Sequence, residues 1–293
     1  MLSNNISNFL QDKIADLTGK ATTLLNLTQI HGGDINETYQ VKTNTGDFFL
    51  KLNSDARNTD FFAAEADGLE SLSGKSELII PKPLFHGNID GNQFLLMEFL
   101  PKGIVRGNFW ENFGRNLAIL HKNANPQFGW SEHNYIGMLP QKNNFQHSWN
   151  QFYAESRVLF LVYSAASQND HYSGLIPFAE KFCSRLENII PEETPALLHG
   201  DLWSGNFMVH ETGQAAVFDP SVYFGHREMD LAMTRLFGGF HTRFYQAYDE
   251  EFPLTPGWEE RIPIFQLYPL LVHMVLFGGH YYDSVKSILK KFS

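Results

Sequence analysis

A chain of 293 residues with a single cysteine and a formal net charge of −10 has room for two modest hydrophobic cores. It has no internal disulfide framework or cysteine zinc cluster, and on average it repels nucleic acid and anionic membranes. Its 43% hydrophobic and 18% charged content sits near the globular average, and nowhere does an apolar run reach the roughly 18 residues that would span a bilayer.

The segment Met1-Leu2-Ser3-Asn4-Asn5 lacks the basic and apolar regions of a secretory signal, so cytoplasm is the expected compartment and a monomer the expected state. Ile6, Phe9, Leu10 and Ile14 recur at helical spacing over residues 4 to 17, and alternating segments at 21 to 30 and 37 to 43 predict strands. Asn44-Thr45-Gly46 closes a hairpin between Tyr39-Gln40-Val41-Lys42 and Asp47-Phe48-Phe49-Leu50-Lys51, which puts Lys51 on a strand. Asn58-Thr59-Asp60 is a capping-type start for a helix over 61 to 72, with Phe62, Ala66, Leu69 and Leu72 on one face and Glu65 beside it. Pro81 and Pro83 interrupt the chain before the buried strand Phe94–Leu100, and Pro101-Lys102-Gly103 then marks the boundary between an N-terminal lobe, 1–100, and a C-terminal lobe, 101–293.

Segments 107 to 122, 145 to 166, 173 to 190, 226 to 236, 241 to 249 and 258 to 277 favour helix. Cys183 falls in one of these patterns, with Phe178, Phe182 and Leu186, and reads as a semi-buried thiol. Leu-Phe-Gly-Gly at 236 to 239 and 276 to 279 reads as two helix C-caps. The expected fold class is therefore α+β, with a small β-rich lobe and a large, mainly helical one.

Chemistry concentrates in Leu198-His199-Gly200-Asp201-Leu202-Trp203-Ser204-Gly205-Asn206 and Ala216-Val217-Phe218-Asp219-Pro220. Asp201 to Asn206 reproduces the Asp-Leu-x-x-x-Asn catalytic loop of kinases, and Asp219 supplies the second aspartate on a downstream strand. Phosphoryl transfer needs positioning and cation stabilisation. Asp219 and Asn206 offer the oxygen ligands that Mg²⁺ prefers beside ATP phosphates, which frees Asp201 to accept the proton of the substrate hydroxyl. Lys51 on its strand, followed by Glu65 on a helix, has the order of the phosphate-gripping lysine and its orienting glutamate. Gly32-Gly33-Asp34-Ile35-Asn36 lies where a phosphate-covering loop belongs but lacks the full G-x-G-x-x-G spacing, so a plain hairpin turn is the other reading. Asp34 beside phosphate must turn away or meet the substrate. Met97-Glu98-Phe99 is either the adenine-binding hinge or a simple core strand.

These residues resemble the fructosamine kinase (ketosamine-3-kinase) family, within the larger aminoglycoside phosphotransferase and choline kinase-like set of protein-kinase-like folds. The resemblance rests on His199 to Asn206, including Trp203, on Gly225-His226-Arg227-Glu228 with Asp230-Leu231-Ala232-Met233 and Phe237 to Phe240, and on Asn134-Tyr135-Ile136-Gly137 with Gln141, Asn143, Trp149, Phe152, Glu155 and Arg157. It implies Asp201 as proton acceptor, Asn206 and Asp219 as metal ligands, Gly32, Gly33, Lys51 and Glu65 at the phosphates, residues 97 to 99 at adenine, and ATP with Mg²⁺ as cofactors. It further implies phosphorylation of the 3-hydroxyl of ketoamines, free or on protein, after which the product decomposes and releases the amine; sugar length is left open. Some relatives carry a redox-sensitive cysteine in the phosphate loop, and Asp34 in that place implies that this switch is absent. Asp34, Trp203, His226, Arg227 and Trp258 are candidates for substrate contact, although an Arg paired to a structural acid and buried core tryptophans are equally good readings. Two rivals stand beside this one: an aminoglycoside- or choline-type phosphotransferase, and a nucleotide-binding pseudokinase without turnover.

Overall fold

In the computed structural model, which describes residues 4–30, 36–54 and 60–293, helix α1 (Asn4–Thr18) leads into strands β1 (Leu24–Ile30), β2 (Glu37–Thr43) and β3 (Gly46–Asn53). Helix α2 (Phe61–Leu72) and strands β4 (Pro83–Ile89) and β5 (Asn92–Glu98) complete an antiparallel sheet in the order β1-β2-β3-β5-β4. Side chains on a strand alternate between its faces, and this alternation decides where Lys51 points. Leu50 and Leu52 pack with Val41, Phe94 and Leu96 against Ile6, Leu10 and Ile14 of α1. Phe49 therefore faces the opposite side, where Leu95 and Met97 pack beneath Phe61, Phe62, Ala66 and Leu69 of α2. Lys51, two residues on from Phe49, shares that face.

Strand β4 departs from the expectation, because Pro81 and Pro83 read as chain breaks. Pro83 is tolerated as the first residue of an edge strand, where its missing N–H removes no interior ladder bond. Asp60 is the N-cap of α2 but makes no side-chain capping bond; its carboxylate instead accepts the hydroxyl of Tyr135. Asn58 and Thr59 lie outside the described residues, as does the loop segment Gly32, Gly33 and Asp34.

Beyond β5 the chain becomes mainly helical: α3 (Phe109–His121), α4 (Trp149–Tyr153), α5 (Leu159–Gln168), α6 (Ile176–Cys183), α7 (Leu186–Ile189), α8 (Glu228–Thr234), α9 (Thr242–Glu251), α10 (Trp258–Phe277) and α11 (Tyr281–Phe292). A π-helical turn, Ala154–Val158, joins α4 to α5 where a single helix was expected, and α11 was not anticipated at all. Gly278, with φ 64°, caps α10 as expected, whereas α8 ends at Thr234 with Arg235 as its cap, so Leu236 to Gly239 lies beyond the helix instead of capping it. None of the helices among the described residues is long and apolar enough to cross a membrane.

Three short antiparallel pairs sit among these helices: β6 (Asn134–Ile136) with β7 (Leu139–Gln141), β8 (Ala196–Leu198) with β11 (Tyr223–Gly225), and β9 (Phe207–Val209) with β10 (Ala215–Val217). The β9–β10 hairpin is tied to the segments flanking the N-terminal sheet. Ile79 N–H donates to Ala215 O at 3.0 Å, Val217 N–H to Ile79 O at 3.0 Å, and Gly103 N–H to Val209 O at 2.7 Å.

Candidate active site

The short strands bring the chemistry together. His199, Gly200 and Asp201 follow directly on β8, Asn206 immediately precedes β9, and Asp219 comes two residues after β10, so the ends of two strand pairs converge. Ser221 N–H donates to His199 O at 2.9 Å and Phe218 N–H to Asn206 O at 3.1 Å, stitching the two loops. At Gly200, with φ 85°, a Cβ would lie 2.0 Å from Ser221 O, so only glycine allows the approach. The His199 ring completes the junction: its Nδ1 accepts the Asp201 N–H at 3.3 Å and its Nε2 lies 3.1 Å from Phe218 O. Burial holds this imidazole below its usual pKa, which suits a neutral ring donating from Nε2 only.

Asp230, at the first turn of α8, anchors the catalytic loop from below. Its buried carboxylate accepts the backbone N–H groups of His199 at 2.8 Å and Gly200 at 2.9 Å, and lies 3.1 Å from His121 Nε2. Burial alone would raise its pKa, but the His121 hydrogen bond and the Gly200 N–H, with the neighbouring His121 and His199 imidazoles, hold it below the ordinary value.

Across the cleft, Lys51 Nζ lies 2.6 Å from Glu65 Oε1 and 2.5 Å from Asp219 Oδ1. Burial pulls Lys51 toward neutrality, yet the carboxylates of Asp219 and Glu65 outweigh it and leave the ammonium above its usual pKa. Glu65 is pushed up to about 7, by burial first, opposed by Lys51 and reinforced by Asp219. Asn206 donates from Nδ2 to Asp201 O at 2.9 Å and to Asp201 Oδ2 at 3.1 Å. That orientation leaves Asn206 Oδ1 to accept a cation. Asp219 sits in the left-handed region at φ 58°, which Asp tolerates better than most residues. With Asp201, Asp219 and Glu65 against one lysine, the cleft has an excess of negative charge and a hard-oxygen donor set, the combination a nucleotide-bound divalent cation fits.

Asp201 is pushed up to about 7, by burial and then by Asp219, against the Asn206 hydrogen bond. A carboxyl whose folded pKa lies above its unfolded value of about 3.9 stabilises the fold below that value and loses the contribution as pH rises through about 7. Relative to an Asp201→Asn variant, which cannot titrate, the metal-free wild type is therefore expected to lose stability between pH 4 and pH 7. Urea denaturation of both proteins at pH 5 and pH 8 measures this, and an unchanged stability difference would refute it.

All five of these residues line one cavity of about 880 Å³. Phe49, Met97, Glu98, Phe99 and Met208 line it too, as do Trp203 and Tyr135. Three other candidates lie elsewhere. His226 is fully buried, its ring 4.8 Å from that of Phe265 and its Nδ1 3.3 Å from Glu193 Oε2. Arg227 bonds Glu193 Oε1 at 2.6 Å, Phe252 O at 2.6 Å and Pro253 O at 2.7 Å, so it pairs with a structural acid other than Asp230 and ties the chain after α9 to α8. Trp258, at the start of α10, packs under the Arg235 guanidinium at 4.6 Å. Each is occupied in packing outside the cleft.

The block Asn134 to Arg157 acquires a physical role. Asn134 Nδ2 donates to Val222 O at 2.8 Å and Gln141 Nε2 to Ser221 O at 3.1 Å. Gln141 and Asn143 both donate to Asn134 Oδ1 at 2.8 Å, and Arg157 Nη2 donates to Asn143 Oδ1 at 2.8 Å. The Arg157 guanidinium is itself wholly buried against the rings of Tyr223 at 4.3 Å and Phe152 at 4.5 Å. This buried network, in which only Arg157 Nε of the guanidinium lacks a hydrogen-bond partner among the described residues, clamps the backbone at Ser221 and Val222, just after Asp219. Sequence reasoning also missed cavity residues on the C-terminal side, Phe237 as a lining side chain and His273, Phe277 and Tyr281 altogether; the repeated Leu-Phe-Gly-Gly was the available signal for two of their positions.

A lysine–glutamate pair under a small antiparallel sheet, facing an Asp/Asn/Asp set on a helical base, defines an ATP-dependent phosphotransferase of the protein-kinase-like class. The sequence profile of the fructosamine kinase family matches residues 6–293, and the chain belongs to that family. A probable ketoamine kinase from Synechocystis is 37% identical over 96% of this chain and 95% of its own length. The chloroplastic protein-ribulosamine 3-kinase of Arabidopsis thaliana is 35% identical over 92% of this chain and 83% of its own. The crystal structure of a protein provisionally named a fructosamine-3-kinase, from Thermobifida fusca, superposes with a TM-score of 0.85 at 34% identity, covering 97% of this chain and 98% of that one.

Proposed function

We propose that this protein transfers the γ-phosphoryl group of ATP to the 3-hydroxyl of a ketoamine, the first step in freeing an amine from its sugar adduct. The observation that carries the reading is the convergence of Lys51, Glu65, Asp201, Asn206 and Asp219 on a single cavity, combined with membership of the fructosamine kinase family. Residues 1–100 and 101–293 are taken as the two lobes that bound this cleft.

In this reading Lys51, held by Glu65, donates to the α- and β-phosphates, and the backbone at Met97, Glu98 and Phe99 meets adenine, with Gly32 and Gly33 over the phosphates. Asn206 Oδ1 and Asp219 would hold Mg²⁺, which supplies charge neutralisation on the transferring phosphoryl group. Lys51 must then shift from Asp219 toward the nucleotide. Asp201 orients the 3-hydroxyl and takes its proton as the oxygen–phosphorus bond forms and the bond from the γ-phosphorus to the bridging oxygen breaks, leaving ADP. Its near-neutral pKa suits a base that works at physiological pH. In this reading the enzyme acts in the cytoplasm, as a monomer, on free or protein-bound adducts.

Coupled measurement of ADP release with an N-alkyl ribulosamine and an N-alkyl fructosamine is expected to show Mg²⁺-dependent turnover, with the phosphate on the 3-oxygen by NMR. Turnover only with aminoglycosides or choline would replace the acceptor, and no turnover with any of them, in the presence of tight ATP binding, would favour a pseudokinase.

A further inference from the structure

The catalytic cavity extends past Asp201 to an end where five rings gather beside Pro269, Val272 and Leu276. Trp203, Phe237, His273, Phe277 and Tyr281 all line it. Their centroids form a chain: Trp203 to Phe237 at 5.7 Å, Phe237 to His273 at 4.9 Å, and His273 to Phe277 and Tyr281 at 5.6 and 5.2 Å. Core packing does not account for it, because Phe277 is 56% exposed and Phe237 37%. The turn between α10 and α11 creates this end: Gly278 and Gly279 both have φ 64°, a conformation that reverses the chain sharply and returns Tyr281 over His273. His273 Nδ1 lies 2.8 Å from Pro269 O, so a neutral ring keeps its proton there and leaves Nε2 unprotonated.

Charge is distributed unevenly along the cavity. Among the described lining residues its carboxylates are Glu65, Glu98, Asp201 and Asp219, of which two pair with Lys51 and Asp201 faces the reacting hydroxyl. Glu98 belongs to the far, β5 end. The ring end therefore offers π faces and a histidine kept neutral by burial, and no ion-pair partner.

We infer that this aromatic end is the subsite for the amine portion of the acceptor, with the secondary ammonium held on the faces of Phe237, Phe277 and Tyr281 instead of by a carboxylate. The inference rests on the ketoamine reading above. In a ketoamine the nitrogen stands four bonds from the 3-oxygen, so an acceptor with that oxygen at Asp201 must carry its ammonium into the adjoining part of the same cavity. Ring faces attract a desolvated ammonium, while the open rim at Phe277 leaves the rest of the amine free to project outward. The acceptor class selected is a cationic sugar–amine adduct with an unhindered, apolar-tolerant amine substituent.

The test compares an N-alkyl ribulosamine with its N-acetyl counterpart, which keeps the skeleton but carries no charge. Wild type is expected to show a KM about 5- to 30-fold lower for the charged compound. Phe277→Ala and Tyr281→Ala should each remove most of that ratio, with KM moving more than kcat and the KM for ATP within about twofold of wild type; Tyr281→Phe should retain it. Unchanged discrimination in both alanine variants, with melting temperatures like wild type, overturns the subsite. Discrimination abolished by Asp34→Asn instead would assign the ammonium to that carboxylate and also overturn it. Failure of wild type to phosphorylate either compound would refute the ketoamine reading itself, an outcome separate from loss of discrimination.

Discussion

Replacing Asp201 with asparagine is expected to lower kcat by about 10²- to 10⁴-fold while leaving the Kd for ATP within about threefold of wild type. Asparagine retains the shape and can still accept from Asn206 Nδ2, which lies 3.1 Å from Asp201 Oδ2, so the loops should stay stitched. What is lost is a proton acceptor whose environment holds it near pH 7. Only the transition state uses that function, so nucleotide affinity is not involved. Single-turnover kinetics together with calorimetric ATP titration separate the two quantities. Equal loss of both would mean that Asp201 serves nucleotide binding, and the assignment of the base would be wrong.

Asp230→Ala is expected to have the second large effect, through the fold. The change leaves the buried N–H groups of His199 and Gly200 without acceptors and removes the partner of His121 Nε2. A buried donor left unsatisfied costs about 1–3 kcal/mol, and breaking a buried charged arrangement about 3–5 kcal/mol. A total loss of about 3–5 kcal/mol in urea denaturation is the expected result, with kcat falling further than stability alone explains at temperatures where the variant is folded. A loss under about 1 kcal/mol would show that the catalytic loop holds its shape without this anchor.

Much of the catalytic half of the site was legible in the sequence because its parts are close along the chain. Asp201 and Asn206 share one loop, and Asp219 follows on the next hairpin, so residue types and spacing carried their joint role. Lys51 and Glu65 could be read only as an order of elements; that their side chains meet at 2.6 Å follows from the strand's alternation placing Leu50 and Leu52 toward α1. His226 and Arg227 sit in a block as recognisable as the catalytic loop, yet the structure spends them on Glu193 and on the carbonyls of Phe252 and Pro253. Nothing in a local pattern separates a histidine that binds a ligand from one that packs on Phe265. The same holds for the Asn134 to Arg157 block, in which the amides of Asn134 and Gln141 bond the backbone at Val222 and Ser221 and Arg157 supports them through Asn143 Oδ1.

By itself the sequence determined which groups could accept a proton, ligate a cation or grip phosphate, and on which kinds of element they ride, since those properties depend on residue type and short-range periodicity. The tertiary structure alone decided which of them share a cleft: the contact of Lys51 with Asp219 spans 168 residues, and the ring-lined end of the cavity depends on a helix turn that reverses at Gly278 and Gly279. Periodicity states which face of an element is buried. What that face is buried against is set by packing between elements distant in the chain.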